Sequence, residues 1–204
     1  MDAMSQIQKK IFLSTIRDGL TEIFIGLLLL IAGFVFYNPF LVVLVIILKV
    51  LWSKIEQKLK ERYIFPRIGY VELKTTHRSN FRKYHTFFGI IIAISVISFF
   101  VLVFLEGWNI DTMFKYVPLL PGGALLGKSL YFCIFSSKWK YLGLGIISLF
   151  LAIAFILIPF PVGRDVAVYY LWLEAIIMAS VGILKYFNFL NKYPVVQEKN
   201  GDGG

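Results

Sequence analysis

Four stretches of this chain run for about 18 residues or more with at most two charges each: residues 20–37, 87–105, 141–158 and 166–189. A helix of that length rises about 27 Å, close to the ~30 Å hydrocarbon thickness of a bilayer. Inside hydrocarbon every backbone N–H and C=O must be satisfied within the protein, and a helix does this within one segment. The chain therefore reads as an all-α integral membrane protein. Composition supports this, at 58% hydrophobic and 16% charged, where soluble domains carry about 25% charge.

Two less regular segments complete a reading of six transmembrane helices. Residues 40–52 are apolar. The helix is expected to leave the bilayer there and continue to about Tyr63 as a cytoplasmic amphipathic extension. Ile55, Leu59 and Tyr63 fall at i, i+4 and i+8 and form an apolar partner face, with Glu56 and Lys60 paired on the charged side. Residues 114–135 hold Pro118, Pro121, Gly122, Gly123 and Lys128. They fit a broken span, or a loop followed by a half-helix from Ala124. Turns are expected at Asn38-Pro39 and at Pro159-Phe160-Pro161. A short extended segment is expected at 71–76.

Residues 1–19 read as a basic, interfacial N-terminal helix. No small-residue cleavage site follows the first apolar run, so that run reads as a retained span. Residues 20–190 form the membrane domain, with a cytoplasmic basic segment at 53–86, and 191–204 read as a flexible tail.

Charge sets the orientation. Between Lys49 and Lys83 lies nearly half of the chain's 21 Lys and Arg residues, and basic loops stay cytoplasmic. With six spans and both termini inside, only Lys115, Arg164 and the intramembrane Lys128 depart from the rule. The formal charge of +9 clusters at span ends. It therefore points to anionic headgroups on the cytoplasmic face rather than to nucleic acid.

Charged residues within spans are costly and are functional candidates by default. Lys128 and Glu174 qualify, at depths within about 9 Å of one another, so an intramembrane charge pair is geometrically open. Pro121, Gly122 and Gly123 form the candidate broken-helix turn, tolerated at depth only where protein or water satisfies the backbone. Arg67, Gly69 and Tyr70 are headgroup candidates: a guanidinium for phosphate, a glycine for close approach, and an interfacial ring. His77 and His85 stand among cations without acids and are poor metal ligands. Cys133, alone, excludes an intrachain disulfide and a cysteine metal cluster. No catalytic triad, zinc helix, P-loop or dinucleotide fingerprint occurs, so no cofactor, metal or catalytic residue is expected.

The run Asp18-Gly19-Leu20-Thr21-Glu22 leads into a Gly-Leu-rich span, and Pro66-Arg67-Ile68-Gly69-Tyr70-Val71 follows a basic amphipathic helix. Together these resemble a group of small prokaryotic multi-span membrane proteins of uncharacterised function that carry a Pro-Arg-x-Gly-Tyr segment. The resemblance covers residues 1–75 and implies a location in the prokaryotic cytoplasmic membrane, with no activity. The expected function is non-enzymatic: an accessory or regulatory module acting through lipid or protein contacts, with a second copy or another membrane protein as partner. The alternative is a small oligomeric transporter or channel using Lys128 and Glu174.

Overall fold

The computed structural model describes residues 18–68, 78–136, 139 and 142–194, and all regular structure among them is helical. In chain order come α1 (Leu20–Val35), α2 (Leu41–Leu59), a π-helical turn (Lys60–Ile64), α3 (Phe65–Ile68), α4 (Arg78–Glu106), α5 (Ile110–Tyr116), α6 (Leu119–Ser136), α7 (Leu142–Leu157) and α8 (Gly163–Lys192). By length and composition two stretches can cross a membrane, Gly89–Glu106 within α4 and the whole of α8. Shorter apolar helices are Leu20–Val35, Leu41–Trp52 and Leu142–Leu157. The expected N-terminal helix over 1–17, Gly69, Tyr70, the extended segment, His77 and the tail beyond Pro194 lie outside the described residues.

Local chemistry explains most boundaries. The Asp18 carboxylate accepts from the Leu20 N–H at 2.9 Å, occupying one of the free donors at the start of α1. At the other end, Tyr37 and Asn38 both donate to the Phe34 carbonyl at 3.0 Å. Asn38 Oδ1 then accepts from the Phe40 N–H at 3.2 Å, so the expected Asn-Pro turn is an Asx turn. Asn109 caps α5 by accepting from the Thr112 N–H at 2.7 Å.

The helix after Trp52 does continue, and it runs past Pro66 to Ile68. A proline clashes with the carbonyl four residues back and has no N–H to give it. The chain accommodates this by widening to i→i+5 pairing over Lys60–Ile64, where the Phe65 N–H reaches the Lys60 carbonyl. That wider turn falls at the end of the stripe expected at Ile55, Leu59 and Tyr63, of which Ile55 and Tyr63 are exposed and Leu59 is half-buried. The extra residue rotates Tyr63 outward and brings Ile64 fully inside.

The surface inverts the ordinary pattern. Val43, Val50, Ile97, Phe104 (75% exposed), Phe150, Leu157 (76%), Ile176 and Leu184 are open, while Asp18, Glu22, Ser129, Ser148 and Glu174 are buried. Soluble monomers rarely expose contiguous apolar patches beyond a few hundred Å².

Backbone packing divides the chain into two units. The first comprises residues 18–28, 43–68 and 177–194 of the described chain, and its core is Leu20, Ile64 and Phe189, with Trp52, Leu59 and Tyr186 against it. Phe24 stacks on Trp52 at 4.1 Å. The second comprises 29–42 and the described residues of 78–176. In it α6 packs against α4 and α7. One of its cores is Phe99, Val103 and Tyr116; the other is Ala152, Tyr170 and Leu171.

Candidate functional site

In the second unit, small residues let three helices approach closely. A Cβ on Gly123 of α6 would run into the Ser95 side chain of α4. One on Gly145 of α7 would lie 2.6 Å from Ser129 Cβ and 2.8 Å from Leu126 Cα of α6. One on Gly122 would meet Ala152 Cβ at 3.0 Å, the Tyr170 hydroxyl at 3.2 Å and the Ser148 carbonyl at 3.4 Å. Small residues serve helix contacts in membranes in this way, because packing rather than hydrophobicity must hold the helices together.

At that crossing sits Glu174 of α8, with no exposed surface. Tyr170, one turn earlier on the same face, is equally buried, and Ser148 of α7 is 1% exposed. The Ser148 and Tyr170 hydroxyls lie 3.3 Å apart, and the Tyr170 hydroxyl donates to the Ser148 carbonyl at 3.5 Å. The Ser148 side chain is the polar neighbour of the Glu174 carboxyl. Neither carboxyl oxygen meets a partner at full hydrogen-bond geometry, the Ser148 hydroxyl being the group placed to supply one, and no cation among the described residues pairs with it. A buried polar group left in that state costs about 1–3 kcal/mol, and more if charged, so it calls for an explanation beyond packing.

Two sequence expectations are corrected here. The Lys128–Glu174 ion pair is not formed, although the Lys128 ammonium is itself buried. Similar depth fixed the height of both groups and left their rotation about the helix axes undetermined. Pro121, Gly122 and Gly123 are also not a break. They lie in the first turns of α6, which begins at Leu119 and runs unbroken to Ser136. Proline is tolerated in a first turn because N–H groups there have no intrahelical acceptor. The Gly122 N–H already bonds the Pro118 carbonyl at 3.1 Å. The interruption comes earlier, at Val117-Pro118 between α5 and α6. Gly122 still belongs to the site, as the gap into which Tyr170 and Ser148 fit.

The first unit holds a different arrangement, in which charges have partners. Lys60 Nζ lies 2.6 Å from Glu56 and 3.6 Å from the wholly buried Asp18. Burial pushes the Asp18 carboxyl up from 3.8 to about 6, against the pull of Lys60 and the Leu20 N–H; Glu56 and Glu22 add to the rise. Lys185 Nζ meets Glu22 at 3.1 Å. Gly19, at φ +84°, is a left-handed residue whose missing Cβ would run into the Gly182 carbonyl of α8. Arg67, the headgroup candidate, donates to the carbonyls of Leu190 (3.1 Å) and Tyr193 (2.8 Å) and so closes the C-terminal end of α8. Of the expected partner face, Leu59 packs on the internal core, and Ile55 and Tyr63 remain exposed.

An open cleft of about 400 Å³ is lined by Asp111, Thr112, Lys115, Pro159, Phe160 and Gly163, among others, and includes neither Lys128 nor Glu174. No group of three or more His, Cys, Asp or Glu that could hold a metal occurs among the described residues. Cys133 is free and buried. Ser148 and Tyr170 escape sequence reasoning, since a serine or tyrosine in an apolar run is ordinary. The available signal is Tyr170 standing four residues before the acid. No family model, no curated protein and no solved structure matches this chain.

Proposed function

We propose that this chain is a six-span protein of a prokaryotic cytoplasmic membrane, with both termini inside, and that it acts as a small transporter or channel organised on Glu174. Membrane residence is supported by the two long apolar helices, the shorter ones beside them and the open apolar side chains. The orientation follows from the basic segment. Lys54, Lys58 and Arg62 are exposed there for anionic headgroups.

One observation carries the functional reading: a fully buried acid with no cation against it, held on a span candidate by close-packed glycines and hydroxyls. An ionisable residue kept inside a membrane domain marks a transport path or proton relay by default. The accessory-module reading, through lipid or protein contacts, keeps Ile55 and Tyr63 as an exposed apolar pair, while Leu59 of that face packs on the protein's own core. Purified protein in sealed liposomes is expected to dissipate an imposed proton or alkali-cation gradient faster than empty liposomes. Glu174→Gln is expected to return the rate to that of empty liposomes. Equal rates for wild-type and empty liposomes would defeat the transport reading.

A further inference from the structure

We infer that the ligand held at Glu174 is a single proton, carried as a neutral carboxylic acid beside the Ser148 hydroxyl, and not a metal cation. Proton binding here rests on the transport reading for its purpose but not for its detection. A carboxylate taken out of water costs several kcal/mol even after relaxation. A group without a countercharge gives up its charge instead. Among the described residues no lysine, arginine or second acid acts on Glu174. From α8 the titratable neighbour is Tyr170 and from α7 the polar one is Ser148, while Gly122 of α6 stands against those two residues.

The oxygens present suit a proton better than a metal. Hard cations such as Ca²⁺ and Mg²⁺ take about six or more oxygen ligands. The site offers the two carboxyl oxygens, the Ser148 and Tyr170 hydroxyls and the Ser148 carbonyl, five in all, and those hydroxyls already face each other at 3.3 Å. With the Tyr170 O–H directed to the Ser148 carbonyl, Ser148 Oγ keeps a lone pair for an acid O–H. Space is short as well, since even a methyl group at Gly122 would stand 3.0–3.4 Å from its neighbours. A proton adds one O–H bond and needs no room. On release that bond breaks, the proton passes to water, and the carboxylate remains until it is reprotonated.

Infrared spectroscopy of the protein in liposomes at neutral pH tests this without any flux. Wild type should show a carboxylic-acid C=O band that is lost in Glu174→Gln, moves in frequency in Ser148→Ala, and is unchanged by added sodium, potassium, magnesium or calcium chloride. Should Glu174→Gln fail to fold, the movement in Ser148→Ala still assigns the band. Absence of an acid band at neutral pH overturns the inference. So does its replacement by a carboxylate band on adding one of the salts, which would identify a cation site and leave the transport reading standing. An acid band in a protein without flux would defeat the transport reading alone.

Discussion

The two units treat their buried acids in opposite ways. In the first, Asp18 is capped by a backbone N–H and faced by Lys60, and Glu22 is met by Lys185. In the second, Glu174 is more thoroughly enclosed than Glu22, yet no cation reaches it. Removing one member of a buried pair strands the other and is strongly destabilising, whereas an acid that never had a partner leaves nothing behind when neutralised. The difference separates buried acids that face a cation from one that does not.

The largest expected effect lies on the second side of that contrast. Glu174→Gln should abolish flux while leaving the thermal midpoint at or above that of wild type. A lower midpoint with flux retained would reverse the assignment of roles. Gly19→Ala should produce the largest loss of stability, about 3 kcal/mol or more by thermal unfolding, because a side chain is added at positive φ against the Gly182 carbonyl.

Asp18 supplies the pH dependence. Its folded carboxyl holds a proton up to about 6, against 3.8 ordinarily. The folded state therefore binds more protons than the unfolded state between those values, and stability rises as pH falls from above 6 to below 4. The displacement is worth about 3 kcal/mol at most. Asp18→Asn, which can still accept from the Leu20 N–H, should flatten that rise when midpoints are measured from pH 7.5 to 4.

Arg67→Ala should cost about 2 kcal/mol, the scale of charge-assisted hydrogen bonds to carbonyls. Unchanged stability combined with weaker retention of anionic lipid would favour the headgroup role instead. The smallest effect is expected for Lys115→Ala. It breaks the exposed pair with Glu106 at 2.7 Å and should move stability by no more than about 0.5 kcal/mol in chemical unfolding.

Helix existence was legible from apolar run length, and the turns at Asn38-Pro39 and Pro159-Phe160-Pro161 fall between helices as proline chemistry requires. Glu174 was legible too, since a charge in an apolar run is conspicuous. Its companions were not. Neither Ser148 nor Tyr170 departs from its surroundings, and their meeting depends on the rotation of α7 and α8, which hydropathy does not report. Pro121-Gly122-Gly123 was misread for a related reason. The same residues that break a helix in mid-span begin one, or seat another against it, when they fall in its first turns.

Sequence alone therefore determined the material: long apolar helices, a basic segment at one end, and an acid placed where acids are expensive. Only the tertiary structure decided which charges are partnered. Asp18 and Lys60 lie 42 positions apart in sequence yet 3.6 Å apart in space. Lys128 and Glu174, alike in expected depth, form no pair. Pairing depends on helix rotation to within a few ångströms. That rotation is set by glycines at Gly19, Gly122, Gly145 and Gly182, and by one widened turn before Pro66.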